Sequence, residues 1–321
     1  MDCGNEVAKA ALAIKAITIS AANPVTWASG FKMPIYNDNR KHLRFPANRN
    51  LITDGFVEII RSEGIEADFV TGTSTAGIAP AASLAHRLQV PIGFTEDSGL
   101  FMMYTQQELS ELASRVPEGR HDIIMSTCPT SIAPAVFIAI QRRLPFAYVR
   151  TKPKAHGLQQ QIEGTLEKGE RVLLLDFNNR NSYVGKAISA VEEKGGVVRD
   201  VISLDILDNY KTPQVRGKSG LHVEDLVSTG GSCIEEIAAW RNQGALIDHC
   251  IAIFSYGFGE TMQRFAGANC ILNPILEYDQ LLSAAIETKD IKPGELEILK
   301  EWRTDYFGWG AKHGFPPVAK K

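Results

Sequence analysis

Asp68-Phe69-Val70-Thr71-Gly72-Thr73-Ser74-Thr75-Ala76-Gly77-Ile78-Ala79-Pro80-Ala81 opens as an apolar run and breaks at a Gly/Thr/Ser turn. It continues through an Ala/Leu-rich stretch to Val90-Pro91-Ile92-Gly93-Phe94. The pattern reads as strand, loop, helix, strand. Residues 122–148 repeat it without a gap, 54 positions later. Asp122, Thr127, Ile132-Ala133-Pro134-Ala135, Ala139 and Pro145 stand where the first copy has Asp68, Thr73, Ile78-Ala79-Pro80-Ala81, Ala85 and Pro91. Unrelated βαβ units share hydrophobic pattern; matching punctuation at a constant offset argues for duplication. A second pair follows. Residues 172–205, through Leu175-Asp176, Ala187-Ile188 and Lys194-Gly195, align at an offset of 49 with residues 221–254, through Glu224-Asp225, Glu236-Ile237 and Gln243-Gly244.

Apolar runs alternate with helical stretches from residue 68 to about residue 256, the signature of an α/β fold with a parallel sheet flanked by helices. The order is first half, first half again, second half, second half again, and the simplest packing is nested. An inner unit, residues 100–215, is inserted in an outer unit made of residues 1–99 and 216–321. Polar residues 208–220, with Pro and Gly, read as the return linker; residues 96–121 form the outgoing connection, helical around Gln106 to Val116.

The 321 residues are 44% hydrophobic and 22% charged, which excludes disorder and collagen-like repetition. Thirty-four basic against 37 acidic residues give a net charge of −3, so neither nucleic acid nor an anionic membrane is an expected partner. Five cysteines form no CxxC pair and read as structural thiols of a reducing compartment. No apolar stretch is long enough for a membrane helix, and residues 1–6 lack the character of a signal peptide; a cytoplasmic location is expected.

Val223-Glu224-Asp225-Leu226-Val227-Ser228-Thr229-Gly230-Gly231-Ser232 carries the clearest chemistry. Two glycines allow a tight turn whose amides converge on an anion, hydroxyls add donors, and a following helix N-terminus favours negative charge. The adjacent carboxylates of Glu224 and Asp225 suit ribose hydroxyls or a hydrated Mg²⁺.

This run resembles the phosphoribosyl-diphosphate (PRPP) signature of type I phosphoribosyltransferases. Within them the chain is most similar to the orotate phosphoribosyltransferases. The segments Asn23 to Arg40, Thr71 to Ile78, Val149 to Gly164, Ala252 to Gly257 and Leu296 to Arg303 carry the rest of the likeness. The resemblance implies a type I phosphoribosyltransferase-like sheet and transfer of phosphoribosyl from PRPP to orotate, giving orotidine 5′-monophosphate and pyrophosphate, with Mg²⁺. It implies PRPP contacts from Arg150, Lys152, Lys154 and His156, from Glu224, Asp225, Leu226, Val227, Ser228, Thr229, Gly230, Gly231 and Ser232, and from Thr73, Ser74 and Thr75. Orotate would meet Lys32 and Ser228. Lys154, His156 and Asp225 would be catalytic, and Mg²⁺ would be held mainly by PRPP, with Asp225 acting through water. The chain departs at Ala155, where the family usually has an aspartate.

The two copies differ in complementary ways. Leu175-Asp176 and Asn179-Arg180-Asn181-Ser182-Tyr183 replace the outer acidic pair and phosphate turn, without the glycines that the turn needs. Conversely, Glu96, Ser98, Leu100 and Met102 align with Arg150, Lys152, Lys154 and His156. Orotate phosphoribosyltransferases are homodimers in which one subunit's basic loop covers its partner's PRPP site. The expectation is therefore an intramolecular pseudodimer with one composite site, further self-association being left open. The competing readings are a non-catalytic PRPP-binding regulator of the same fold and a phosphoribosyltransferase for another base.

Overall fold

The structure is a computed structural model that describes residues 2–27, 29–95, 99–127, 129–150, 161–177, 181–204 and 213–318. Helix α1 (Cys3–Ala13) is capped by Asp2, whose carboxylate accepts from the Asn5 amide, and leads into β1 (Ile17–Ile19). Strands β2 (Val25–Thr26), β3 (Lys32–Met33) and β4 (Ile35–Asn37) follow; β2 pairs with β3 and β1 with β4, both antiparallel. A 3₁₀ turn, Asn39–Arg44, precedes α2 (Pro46–Glu63), which has Pro at its first turn and ends on Gly64 in the left-handed region. Next come β5 (Phe69–Gly72), α3 (Ile78–Leu88), β6 (Ile92–Thr95), β7 (Phe101–Tyr104) and α4 (Gln106–Ser114). A Thr105/Glu108 capping box starts α4.

The elements β8 (Ile123–Ser126), α5 (Pro129–Arg142), β9 (Phe146–Val149) and β10 (Ile162–Glu163) then run in the same order as β5, α3, β6 and β7. The next elements are β11 (Arg171–Phe177), α6 (Asn181–Glu193), β12 (Val197–Leu204), β13 (Ser219–Val227), α7 (Gly231–Asn242), β14 (Leu246–Ser255) and α8 (Gly259–Gly267). The chain closes with β15 (Ile271–Glu277), α9 (Tyr278–Glu287), α10 (Leu296–Thr304) and α11 (Trp309–Lys312).

Two sheets result. The larger runs β15-β14-β13-β5-β6-β7 and the smaller β12-β11-β8-β9-β10. Omitting β15, the orders correspond strand for strand, and each sheet ends in a short antiparallel strand after parallel ones. Residues 219–227 lie beside β5 and parallel to it. Phe101–Tyr104, placed by sequence in the 100–215 unit, pairs with β6 and so belongs to the larger sheet.

Register refines the residue correspondence in two places. The Thr73 amide donates to the Val223 carbonyl at 3.2 Å and the Thr127 amide to the Leu175 carbonyl at 3.1 Å. Asp176 therefore sits at the position of Glu224, and Phe177 at that of Asp225; the sequence alignment of β11 with β13 was one residue out. On the other edge Phe94 pairs with Met102 as Tyr148 pairs with Glu163. The counterpart of Met102 is thus Glu163 rather than His156. Five residues (96–100) join β6 to β7, whereas twelve (150–161) join β9 to β10. The basic loop is shortened in the larger sheet, not substituted residue by residue.

The sheets are joined through helices. Helices α3 and α5 pack together, their buried Ile and Ala side chains sharing one core. The His86 and Phe137 rings meet edge-on at 4.8 Å. Polar contacts rim this core: Tyr104 Oη donates to the Thr130 carbonyl at 3.1 Å, Arg49 Nη2 to the Leu144 carbonyl at 2.7 Å, and Arg44 pairs with Glu170 at 2.9 Å.

Candidate functional site

Glu224 and Asp225 lie near the C-terminal end of β13, where a parallel sheet presents ligands. The chain then turns through Ser228 and Thr229 to Gly230, at φ 76°, and α7 begins at Gly231. The positive φ and the close approach favour glycine at the first of these two glycine positions. A Cβ at Gly230 would stand 2.7 Å from the Phe265 ring, and one at Gly231 2.7 Å from Nη1 of Arg264. The turn is fastened by Thr261 Oγ1, which donates to the Ser228 carbonyl. The N-terminus of α7 and the Arg264 guanidinium thus approach the same turn, a setting for a phosphate. Arg264, 39 residues beyond Asp225, carries no sequence mark of this placement.

The acidic pair is compressed. Glu224 is 6% exposed, and its Oε1 accepts from the Asp225 amide at 2.9 Å. Burial, the Asp225 charge and the Cys233 thiol push the Glu224 carboxyl well above the usual range. Burial also raises Asp225, against the pull of Arg40. The pair therefore holds a proton more readily than exposed carboxylates do. Adjacent carboxylates at the end of a strand would suit a hydrated Mg²⁺ shared with a substrate; among the described residues no cluster of three or more His, Cys, Asp or Glu forms an all-protein metal site.

Thr73, Ser74 and Thr75 follow β5, beside β13. Close approach dictates the glycines here: a Cβ at Gly72 would come 2.4 Å from the Gly77 carbonyl, and one at Gly77 2.7 Å from the Val223 carbonyl. His222, fully buried, ties the turn from below, with Nδ1 at 2.6 Å from Thr71 Oγ1 and Nε2 at 2.8 Å from Thr73 Oγ1. Glu236 of α7 accepts from the Ser74 and Thr95 amides, both at 3.3 Å. The two turns are therefore built as one unit.

The smaller sheet reaches this unit. Tyr148 of β9 is buried with its phenol toward Thr75, and burial pushes it up to about 12 against the lowering influence of Arg40. Arg40 meets Glu163 of β10 at 2.7 Å, and Glu163 also meets Arg150 at 3.4 Å. Asn39 Nδ2 donates to the Asp225 carbonyl at 2.5 Å. Arg150 is thus brought to the rim of the site. Lys152, Lys154, Ala155 and His156 lie outside the described residues.

Lys32 sits on the β2–β3 hairpin opposite Thr26. Trp27 of the same hairpin packs on Tyr256 at 5.5 Å, and the Tyr256 amide donates to the Val227 carbonyl at 3.3 Å. The hairpin consequently covers the end of the sheet where Ser228 begins the turn. Among the described residues Lys32 makes no ion pair and no direct contact with Ser228. Cys233, Cys250 and Cys270 are buried behind the turn, Cys3 is half-buried, and Cys128 lies outside the described residues.

The site defines a parallel α/β protein with a phosphate-type turn beside an acidic pair. The chain is a homologue of orotate phosphoribosyltransferases. It is 28% identical over 311 residues to that of Lactococcus lactis subsp. cremoris, covering 97% of this chain and 100% of the relative. It is 28% identical over 309 residues to that of Streptococcus pneumoniae, covering 96% and 99%. No family model matches the chain. Among solved structures, the orotate phosphoribosyltransferase of Aeropyrum pernix aligns at 18% identity and a TM-score of 0.42, covering 86% of this chain and 96% of that one.

Proposed function

We propose that the chain is a Mg²⁺-dependent orotate phosphoribosyltransferase of pyrimidine biosynthesis, forming orotidine 5′-monophosphate and pyrophosphate from PRPP and orotate. The observation that supports this most is the Glu224-Asp225 pair leading into the Gly230-Gly231 turn and α7 in a chain similar to such enzymes from end to end. The 5′-phosphate rests on the amides and hydroxyls of Ser228 to Ser232, with Leu226 and Val227 setting the approach. Glu224 and Asp225 orient the ribose hydroxyls. Thr73, Ser74 and Thr75 face the pyrophosphate, and Lys32 and Ser228 hold orotate. Asp225, acting through water, would hold Mg²⁺, which would supply charge neutralisation at the pyrophosphate.

The anomeric carbon becomes cationic as pyrophosphate departs, so catalysis is orientation and charge stabilisation. Arg150, Lys152 and Lys154 supply positive charge at the leaving group. His156 delivers a proton to it, as the side chain whose ordinary pKa lies nearest neutrality.

The corresponding strand orders and the Arg40–Glu163 bridge favour a single composite site in a nested pseudodimer. One half, residues 1–99 with 216–321, holds the substrates; residues 100–215 donate the basic loop. Ala155, in place of the family's usual aspartate, favours a second reading, a regulator that binds PRPP without turnover. Loss of orotate absorbance on adding Mg²⁺ and PRPP supports the enzyme. A folded protein that binds PRPP and leaves orotate unchanged sinks it in favour of the regulator, and turnover of a different base shifts the substrate alone.

A further inference from the structure

We propose that Glu163 is a positioning residue that holds Arg150, and with it the β9–β10 hairpin, on the site around Asp225, an inference that rests on the phosphoribosyl-transfer reading above. The β9–β10 hairpin closes directly beneath the loop: Val149 pairs with Ile162, Tyr148 with Glu163, and the Arg150 amide donates to the Gln161 carbonyl at 2.8 Å. Cross-strand partners share one face of a sheet. Glu163 and Tyr148 therefore point together at the larger sheet's site, Tyr148 toward Thr75 and Glu163 toward Arg40.

A continuous run of contacts links the loop root to the acidic pair. Glu163 Oε1 takes Arg40 Nη1 at 2.7 Å and Arg150 Nη1 at 3.4 Å. Arg40 is oriented from its other side by Asp38, at 2.5 Å. Asn39, adjacent in sequence, holds the Asp225 carbonyl. The carboxylate itself is 4% exposed.

A buried negative charge beside a polyanion site is adverse on its own account. Between two guanidinium groups its charge is compensated and it fixes the direction of both cations. The hairpin does not require it, since Met102 occupies the corresponding place opposite Phe94. Nor does the core, since that methionine is equally well buried. The carboxylate belongs to the half that carries the long loop.

A double-mutant cycle with Arg150 tests this. Glu163→Gln keeps the shape and removes the charge, and is expected to lower kcat about tenfold with the KM for orotate nearly unchanged. Arg150→Gln lowers it comparably, and adding Glu163→Gln to Arg150→Gln costs little more. Glu163→Asp, which keeps the charge on a shorter reach, recovers part of the loss; if Glu163→Gln does not fold, the cycle is run with Asp. Additive losses, or a loss confined to KM for orotate, overturn the proposal. A second readout needs no turnover: in substrate-free protein, amide hydrogen exchange of Phe146 to Arg150 quickens in Glu163→Gln while α9 is unaffected. Unchanged exchange overturns the seat even in an active enzyme. Quickened exchange in Glu163→Gln, where the wild-type protein leaves orotate unchanged, supports the seat and rejects the assigned reaction.

Discussion

The Thr127 amide donates to the Leu175 carbonyl just as the Thr73 amide donates to the Val223 carbonyl, at 3.1 and 3.2 Å. This places Asp176 where the larger sheet has Glu224, with its carboxylate accepting from Thr127 Oγ1. The next position, that of Asp225, is Phe177. The smaller sheet thus keeps one carboxylate of the pair and lacks the other. Asp225→Asn is expected to leave folding nearly intact and lower kcat/KM by about a hundredfold, the scale on which a charge-stabilising group acts. Asp176→Asn should be catalytically neutral. Steady-state assays of both variants, with Tm as the control for folding, decide; equal losses would mean that both sheets carry working sites.

His42 gives a pH prediction. It is 1% exposed, its two ring nitrogens have no hydrogen-bond partner among the described residues, and burial lowers it to about 4 from 6.5. The unfolded chain binds this proton more readily, so His42 contributes stability above pH 6.5 that is lost as pH falls toward 4. The 2.5-unit difference corresponds to about 3 kcal/mol. Denaturant unfolding of wild type between pH 7 and 4 should lose stability on that scale, and His42→Phe should flatten the profile. An unchanged slope in the variant would assign the acid sensitivity elsewhere.

Glu224 acts in the opposite sense. Its folded carboxyl titrates above the unfolded one, so the neutral form is favoured and stability is lost as pH rises through the raised value. Glu224→Gln, which keeps the shape without the charge, is expected to gain Tm over wild type at pH 8 and to gain less at pH 5. Activity should fall at both values. A gain that is the same at both pH values would show that Glu224 is not the proton-linked group.

The parts of the site legible in sequence are those written in local backbone chemistry. Gly72, Gly77, Gly230 and Gly231 announce close approach, and Glu224-Asp225 announce a paired charge. The alternation of apolar runs and helical stretches also announced an α/β fold with parallel strands. What sequence missed depends on distance or on gaps. Arg264 meets the phosphate turn from a different helix, and Arg40 meets Glu163 across 123 positions. The shortened 96–100 connection and the one-residue slip at Asp176 were hidden because an ungapped alignment converts a deletion into substitutions. Hydrogen-bond register exposes both at once.

The loop and turn make distinct kinetic contributions. Lys154→Ala and His156→Ala should lower turnover far more than orotate affinity, because charge and proton delivery at a leaving group act in the transition state. Arg264→Gln, on the turn, should instead raise the KM for PRPP with kcat little changed. Titration of each variant against both substrates separates the two patterns, and a Lys154→Ala loss confined to orotate affinity would remove Lys154 from the leaving-group role.

The last prediction concerns how many chains make one site. In a homodimer whose loop crosses to its partner, a variant lacking the loop lysine and a variant lacking the acidic residue complement when mixed, because a hybrid contains one intact site. In this chain the loop's root is already at the site that Asp225 builds. Val149 and Ile162 close the hairpin, Glu163 joins Arg40, and Asn39 holds Asp225, all within one polypeptide. Lys154 is four residues beyond Arg150 in sequence. A Lys154→Ala chain mixed with an Asp225→Asn chain should therefore stay inactive, even where whole chains associate. Subunit exchange is confirmed first with differently tagged copies, and orotate consumption is then followed across mixing ratios. Activity that rises to a maximum at equal proportions would place Lys154 over the Asp225 of another chain and overturn the single-chain site.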